Sequence, residues 1–200
     1  SLLGARLAGF LVFAPVVDGD FVAADPTIAA AATGVPLPTL MGTNEADGNI
    51  FIAGIAAEVG GGTISAAEYA TVLGLLFGVE NTQKIIALYG VVPNGDNAQN
   101  LSNVATDYLF GCANQYVART ARSDMYVYRF DENTINVWPG VALCEGQACH
   151  ADDLPFTFHV DKTLGATFTP EQAKLSDEMI GYWSAFARKD DPNGGGRVGW

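Results

Sequence analysis

Apolar residues recur at helical spacing in several stretches. In TISAAEYATVLGLLF (63–77), Ile64, Tyr69, Val72, Leu73, Leu76 and Phe77 fall near a 3.6-residue repeat, which predicts a helix with one buried face, capped at Thr63 or Ser65. The same pattern predicts a helix over 81–90 that ends at Gly90, and a long one over 97–122. On the long helix Leu101, Val104, Ala105, Tyr108, Leu109, Cys112, Tyr116 and Val117 share a face, which makes Cys112 a buried free thiol. A helix over 170–188 opens at Pro170 and Glu171, turns Leu175, Met179, Tyr182, Trp183 and Phe186 inward, and stops at DPNGGG. DPTIAAAAT (25–33) predicts a short helix with Asp25 as cap and Gly34 as its end.

Other segments read as extended. Leu37 to Met41 is a short apolar run bounded by Pro and Gly, as for a strand buried on both faces. DMYVYRF (124–130) is aromatic and β-branched. Residues 10–22 predict extended chain around an Asp18–Gly19 turn. The alternation of strand and helix implies an α/β fold with a mostly parallel sheet, and the three helices of about 60–122 form an insertion between strands. The loops at 43–49 and 149–155 each follow a strand, so an acidic residue of the first and a histidine of the second can share one rim of the sheet.

The 200 residues suit one domain, or part of a larger one, and are 49% hydrophobic and 16% charged, a balance that excludes disorder. A net charge of −12 with no basic cluster argues against nucleic acid and anionic membrane surfaces as partners. No apolar run reaches the roughly 20 residues of a membrane span. The chain opens without Met on SLLGARLAGFLVFAP and stops at Trp200 after a Gly-rich turn, which reads as a fragment.

Side-chain chemistry concentrates in VALCEGQACHADDLPFTFH (141–159), which holds Cys144, Cys149 and both histidines. Three readings compete. His150 is a catalytic base on a loop pinned by a Cys144–Cys149 disulfide, which implies an oxidising compartment. Alternatively Cys144, Cys149, His150 and Asp152 bind a metal, although the second ligand pair of a persuasive zinc site is missing. Or the stretch is a polar surface turn. His159, in the apolar run PFTFHV, reads as structural, and Asp152 and Asp153 as supporting or helix-start residues. Trp138 and Phe156 are candidates to line a pocket or to pack in the core.

Five segments in order resemble the type-B carboxylesterases, the family of cholinesterases and fungal lipases with the α/β-hydrolase fold. FAPVVDG (13–19) resembles the family's F-x-P-V-V-D-G turn, and GTNEADGNIF (42–51) its strand end and acid-bearing loop. TDYLFGC (106–112) matches a common family stretch. CHADDLPFTF (149–158) resembles H-G-x-E-L-x-F-x-F, and MIGYWSAFARKDDPNG (179–194) the Y-W-x-x-F-A-x-x-G-D-P-N segment. The resemblance implies a carboxylic ester hydrolase working through a Ser-Asp-His triad. His150 matches the triad histidine and Asp47, immediately before Gly48, the triad acid, with Glu45 as the other candidate. Aspartate replaces the commoner glutamate and is one methylene shorter, so its loop must sit closer to His150. Ala151 stands for the usual glycine, Asp153 for Glu, and Asp190 for a glycine.

One departure is large. The nucleophile elbow G-x-S-x-G appears nowhere in the chain, and neither does the glycine-rich oxyanion loop. Gly60–Gly61–Gly62 precedes a predicted insertion helix and reads as a loop. The resemblance therefore implies that residues 1–200 are the C-terminal part of the enzyme, inactive alone and partnered by the N-terminal part of the same protein. It further implies a small-molecule ester substrate, no cofactor or metal, and a secreted or periplasmic location. The alternative is a cholinesterase-like binding or adhesion module that keeps the fold without the chemistry.

Overall fold

A computed structural model describes residues 16–160, 162 and 167–200. Its frame is a parallel pair of strands, β1 (Thr39–Asn44) and β2 (Met125–Phe130), in register from Thr39 opposite Met125 to Asn44 opposite Phe130. A parallel pair needs a crossover. Here it is a long helical one: α2 (Asn49–Gly60), α3 (Ala66–Phe77), α4 (Val79–Tyr89), α5 (Ala98–Thr106), a π-helical turn (Asp107–Gly111) and α6 (Cys112–Thr120). Before β1 stands α1 (Pro26–Thr33), whose start is capped by the Asp25 carboxylate accepting the Ile28 amide at 3.2 Å. After β2, a 3-10 turn (Ala142–Cys144) and a short helix α7 (Leu154–Phe158) lead to α8 (Pro170–Lys189).

Local sequence sets most of these boundaries. A reciprocal Ser65–Glu68 capping box starts α3, and Thr169 and Gln172 do the same for α8, with Pro170 in its first turn. Ile52, Ile55 and Ala56 of α2 bury against Tyr69, Val72 and Leu73 of α3 and Leu101 and Val104 of α5. Phe130, Ala148, Phe156 and Met179 make a second core, where α7 packs on α8 and the Ser176 hydroxyl donates to the Phe156 carbonyl at 2.6 Å. Phe156 is fully buried there and packs in the core. A third cluster of Ala46, Cys144 and Cys149 lies between them, with Ile50, Trp138 and Val141 against it.

Three expectations need correction, and one helix is unanticipated. Helix α2 lies in a stretch to which the sequence pattern assigns no element: NIFIAGIAAEVG is apolar nearly all round, so no stripe marks it as helical. Cys112 is exposed rather than buried, as are Tyr108, Leu109 and Tyr116. The π turn inserts a residue into the helical phase, so the face that is buried at Leu101 and Val104 does not continue past it. Strand β1 is half-buried along most of its length rather than covered on both faces, being paired on one side by β2. The turn expected at Asp18–Gly19 is present, with the Asp18 carboxylate accepting the amides of Asp20 and Val22, but residues 20–22 bend with it rather than run extended; residues 10–15 lie outside those described.

Candidate active site

The parallel register delivers the acid and the histidine to each other. Past its last strand residue, β1 continues through Glu45, whose amide donates to the Phe130 carbonyl, to Ala46, which forms a parallel bridge with Cys149. In a parallel pair the next residues are neighbours, and these are Asp47 and His150. Asp47 Oδ1 lies 2.8 Å from His150 Nδ1. The other carboxylate oxygen accepts the Asn44 amide at 2.7 Å, so the buried acid is fixed on both sides. Glu45 points elsewhere and pairs with Arg129 at 3.1 Å on the surface.

Gly48 lets the acid's loop reach this position. Helix α5 passes so close that a Cβ on Gly48 would sit 2.5 Å from the Ser102 carbonyl oxygen and 2.7 Å from the Thr106 amide nitrogen. The Thr106 hydroxyl takes the Gly48 amide at 2.8 Å. The Asp-Gly pair thus sits on a helix through backbone contact that only glycine permits.

The histidine's loop is held at several points. Cys144 and Cys149 form a disulfide. Their sulfurs are consumed and cannot serve as thiolate ligands, and among the described residues no cluster suited to a metal is present. This overturns the metal reading of Cys144, Cys149, His150 and Asp152. The Asn44 side-chain amide donates to the Cys149 carbonyl at 2.6 Å, and the Trp138 indole N–H to the His150 carbonyl at 2.5 Å. Cys149 to Asp152 is a tight turn, closed by the Asp152 amide on the Cys149 carbonyl, with Ala151 at φ +71°. Type II turns require positive φ at this third position, which favours glycine.

Two rings flank the imidazole. Phe51 of α2 and Phe110 of the π turn have centroids 5.1 and 5.6 Å from it. Phe51 is one turn beyond the acid, so its place follows from α2. Phe110 reaches His150 from the π turn, for which the sequence has no clear signal. Asp153 accepts from the Asn44 side chain at 3.3 Å and from the Tyr128 hydroxyl at 3.4 Å. Burial first, and then the Asp153 charge, push the Tyr128 hydroxyl up to about 12. His159 stands apart, with Nδ1 3.2 Å from Ser176 Oγ, at the C-terminal end of α7.

The hydrogen bond that His150 donates to Asp47 raises the imidazole pKa above its ordinary value; burial opposes this, and the charges of Asp47 and Asp153 add to it. With Nδ1 engaged, the neutral tautomer keeps its proton there, and Nε2 is the nitrogen left to exchange protons with a partner. The His150 side chain is 42% exposed and lines an open cavity of about 220 Å³ with Asn44, Asp47, Phe110 and Tyr128.

A parallel strand pair with an acid and a histidine at its carboxyl end is an α/β-hydrolase arrangement. The fold superposes on that of PNB esterase with a TM-score of 0.65 at 23% identity, over 92% of this chain and 36% of that one. Residues 2–200 match the carboxylesterase family, and the chain belongs to it. It is 28% identical to the crystal protein of Dictyostelium discoideum, over 94% of this chain and 34% of that protein. It is also 28% identical to the bile salt-activated lipase of Homo sapiens, over 93% of this chain and 26% of the lipase, and 28% identical to the acylcarnitine hydrolase of Rattus norvegicus, over 96% and 36%. The chain spans about a third of the length of such relatives.

Proposed function

We propose that residues 1–200 are the C-terminal portion of a single hydrolase unit that cleaves carboxylic esters of small molecules. His150 is the general base and Asp47 the acid that orients it. The observation that carries this reading is the 2.8 Å contact between Asp47 and His150 at the carboxyl end of a parallel strand pair. A serine hydroxyl is a poor nucleophile until an imidazole takes its proton. The Nε2 of His150 removes that proton as the serine attacks the ester carbonyl and returns it to the leaving alcohol; water then repeats the cycle on the acyl-enzyme. Asp47 holds the tautomer and stabilises the imidazolium.

The nucleophilic serine and the oxyanion donors come from the portion that the longer relatives have and these 200 residues lack, so this portion alone does not hydrolyse esters. The relatives named as lipase and acylcarnitine hydrolase support an ester substrate class. The disulfide supports export from the cell, to the secreted or periplasmic side.

A second reading is a binding or adhesion module without chemistry. It draws support from the Dictyostelium crystal protein, a relative whose name carries no activity. The paired acid and imidazole favour the hydrolase.

The test is hydrolysis of a short p-nitrophenyl ester by the full-length protein and its His150→Ala variant. Activity in the first and a loss of at least about 10³-fold in the second are expected. An inactive full-length protein, or an unaffected variant, sinks the hydrolase and leaves the binding module.

A further inference from the structure

The tight turn at His150 contains a second carboxylate that the proposed chemistry does not use. Asp152 is fully buried. Its Oδ1 accepts the Val137 amide at 2.7 Å and its Oδ2 accepts the Cys149 amide at 2.7 Å. Val137 lies in a strut, residues 136–138, that runs alongside the histidine's loop. The next residue of the strut, Trp138, donates its indole N–H to the His150 carbonyl. Asn136 completes it, accepting the Trp138 amide at 2.6 Å and donating to the Cys144 carbonyl at 3.3 Å.

We propose that Asp152 is a positioning residue for His150: its carboxylate clamps the strut to the backbone just before the histidine and so holds the imidazole against Asp47. The proposal rests on His150 being the general base. Each half of the clamp has a distinct effect. The Cys149 bond fixes the chain entering His150, and the Val137 bond fixes the indole that grips the chain leaving it. The disulfide alone does not do this: it joins Cys149 back to Cys144, which the strut meets only through the Asn136 side chain at 3.3 Å, and it leaves Val137 and the indole of Trp138 without a tie to Cys149.

Burial makes the charge of the clamp costly. Burial pushes the Asp152 carboxyl up to about 6, its two amide partners pull it down, and the negative charges of Asp153 and Glu132 push it up. Between the ordinary value of 3.8 and about 6 the folded chain binds this proton more tightly than the unfolded chain does. The contribution of Asp152 to stability therefore falls as pH rises through that window and is least favourable above it.

The experiment uses the full-length protein with Asp152→Ala and Asp152→Asn, assayed on a p-nitrophenyl ester beside wild type and His150→Ala. Asn keeps the shape but accepts from only one of the two amides, so its loss is intermediate. For Ala, kcat falls on the order of 10²-fold, as for a catalytic group displaced by about 1 Å, while KM stays within about 2-fold. The acid limb of kcat/KM moves to lower pH, because the charges acting on the imidazole are those of Asp47 and Asp153, and the limb follows their distance from it. The downfield proton resonance of the His150 Nδ1–H, bound to Asp47, is lost in Asp152→Ala. Unchanged kcat and an unmoved limb overturn the proposal, as does a retained Nδ1–H resonance. Variants that fail to fold make Asp152 a structural residue and overturn it too. If wild type is inactive or His150→Ala is not impaired, the hydrolase reading fails. The Nδ1–H resonance still reports whether Asp152 holds the imidazole: its retention in Asp152→Ala overturns the positioning role, and its loss supports it.

Discussion

At the scale of single residues, the proposed role of His150 makes a prediction about pH. A general base must be neutral to take a proton, and the Asp47 hydrogen bond raises this imidazole above its ordinary value near 6.5. The expected kcat/KM profile of the full-length protein therefore falls on an acid limb whose midpoint lies above 6.5; a midpoint below it contradicts the Asp47 contact. Ala151 gives a second prediction. With φ at +71° its Cβ is strained, in a conformation that favours glycine. Ala151→Gly is expected to stabilise the fold by about 1 kcal/mol in a denaturant melt, with kcat unchanged. The departure from glycine at this position was legible in the sequence, but its cost was not, because φ is a property of the turn. The pairing of Asp47 with His150 was likewise not readable from spacing, since more than a hundred residues separate them. Strand-then-loop order placed the two loops on one rim, resemblance to a family singled out Asp47, and the structure adds the register that makes them neighbours.

At the scale of elements, the helices with one apolar stripe (α3, α4, α5, α8) and the strand over Met125–Phe130 were legible, because a half-buried surface imposes a period on the sequence. Helix α2 and the π turn were not. The first is apolar too evenly in sequence to show a stripe, and the second depends on a local change of hydrogen-bond ring. Both bear on the site: α2 starts at the acid and carries Phe51, and the π turn carries Phe110. The contact of Gly48 with α5 joins these elements. Gly48→Ala is expected to force the acid's loop off α5, costing about 1–3 kcal/mol of stability and lowering kcat. An unchanged melting temperature would show that the loop adapts. The disulfide braces the other side. Converting Cys144 and Cys149 to serine is expected to cost about 2 kcal/mol in denaturant unfolding, the value for so short a closed loop. No change in unfolding free energy would mean that Asp152 and Trp138 hold the loop unaided.

At the scale of the whole molecule, the chain spans about a third of the length of its relatives and carries two members of a proposed three-part site. In the proposed division of labour this portion supplies the base and the group that orients it, and the nucleophile is brought to Nε2 from outside these residues. The claim most exposed to test is that Asp47, and not the adjacent Glu45, orients His150. The most direct measurement is kcat for ester hydrolysis by the full-length protein bearing Asp47→Asn, beside Glu45→Gln. Asparagine keeps the geometry but favours the wrong imidazole tautomer, so a fall of about 10⁴-fold is expected. Glu45→Gln removes only an exposed ion pair with Arg129 and is expected to leave kcat within about 3-fold. A full-rate Asp47→Asn enzyme, or a dead Glu45→Gln enzyme, would contradict the assignment.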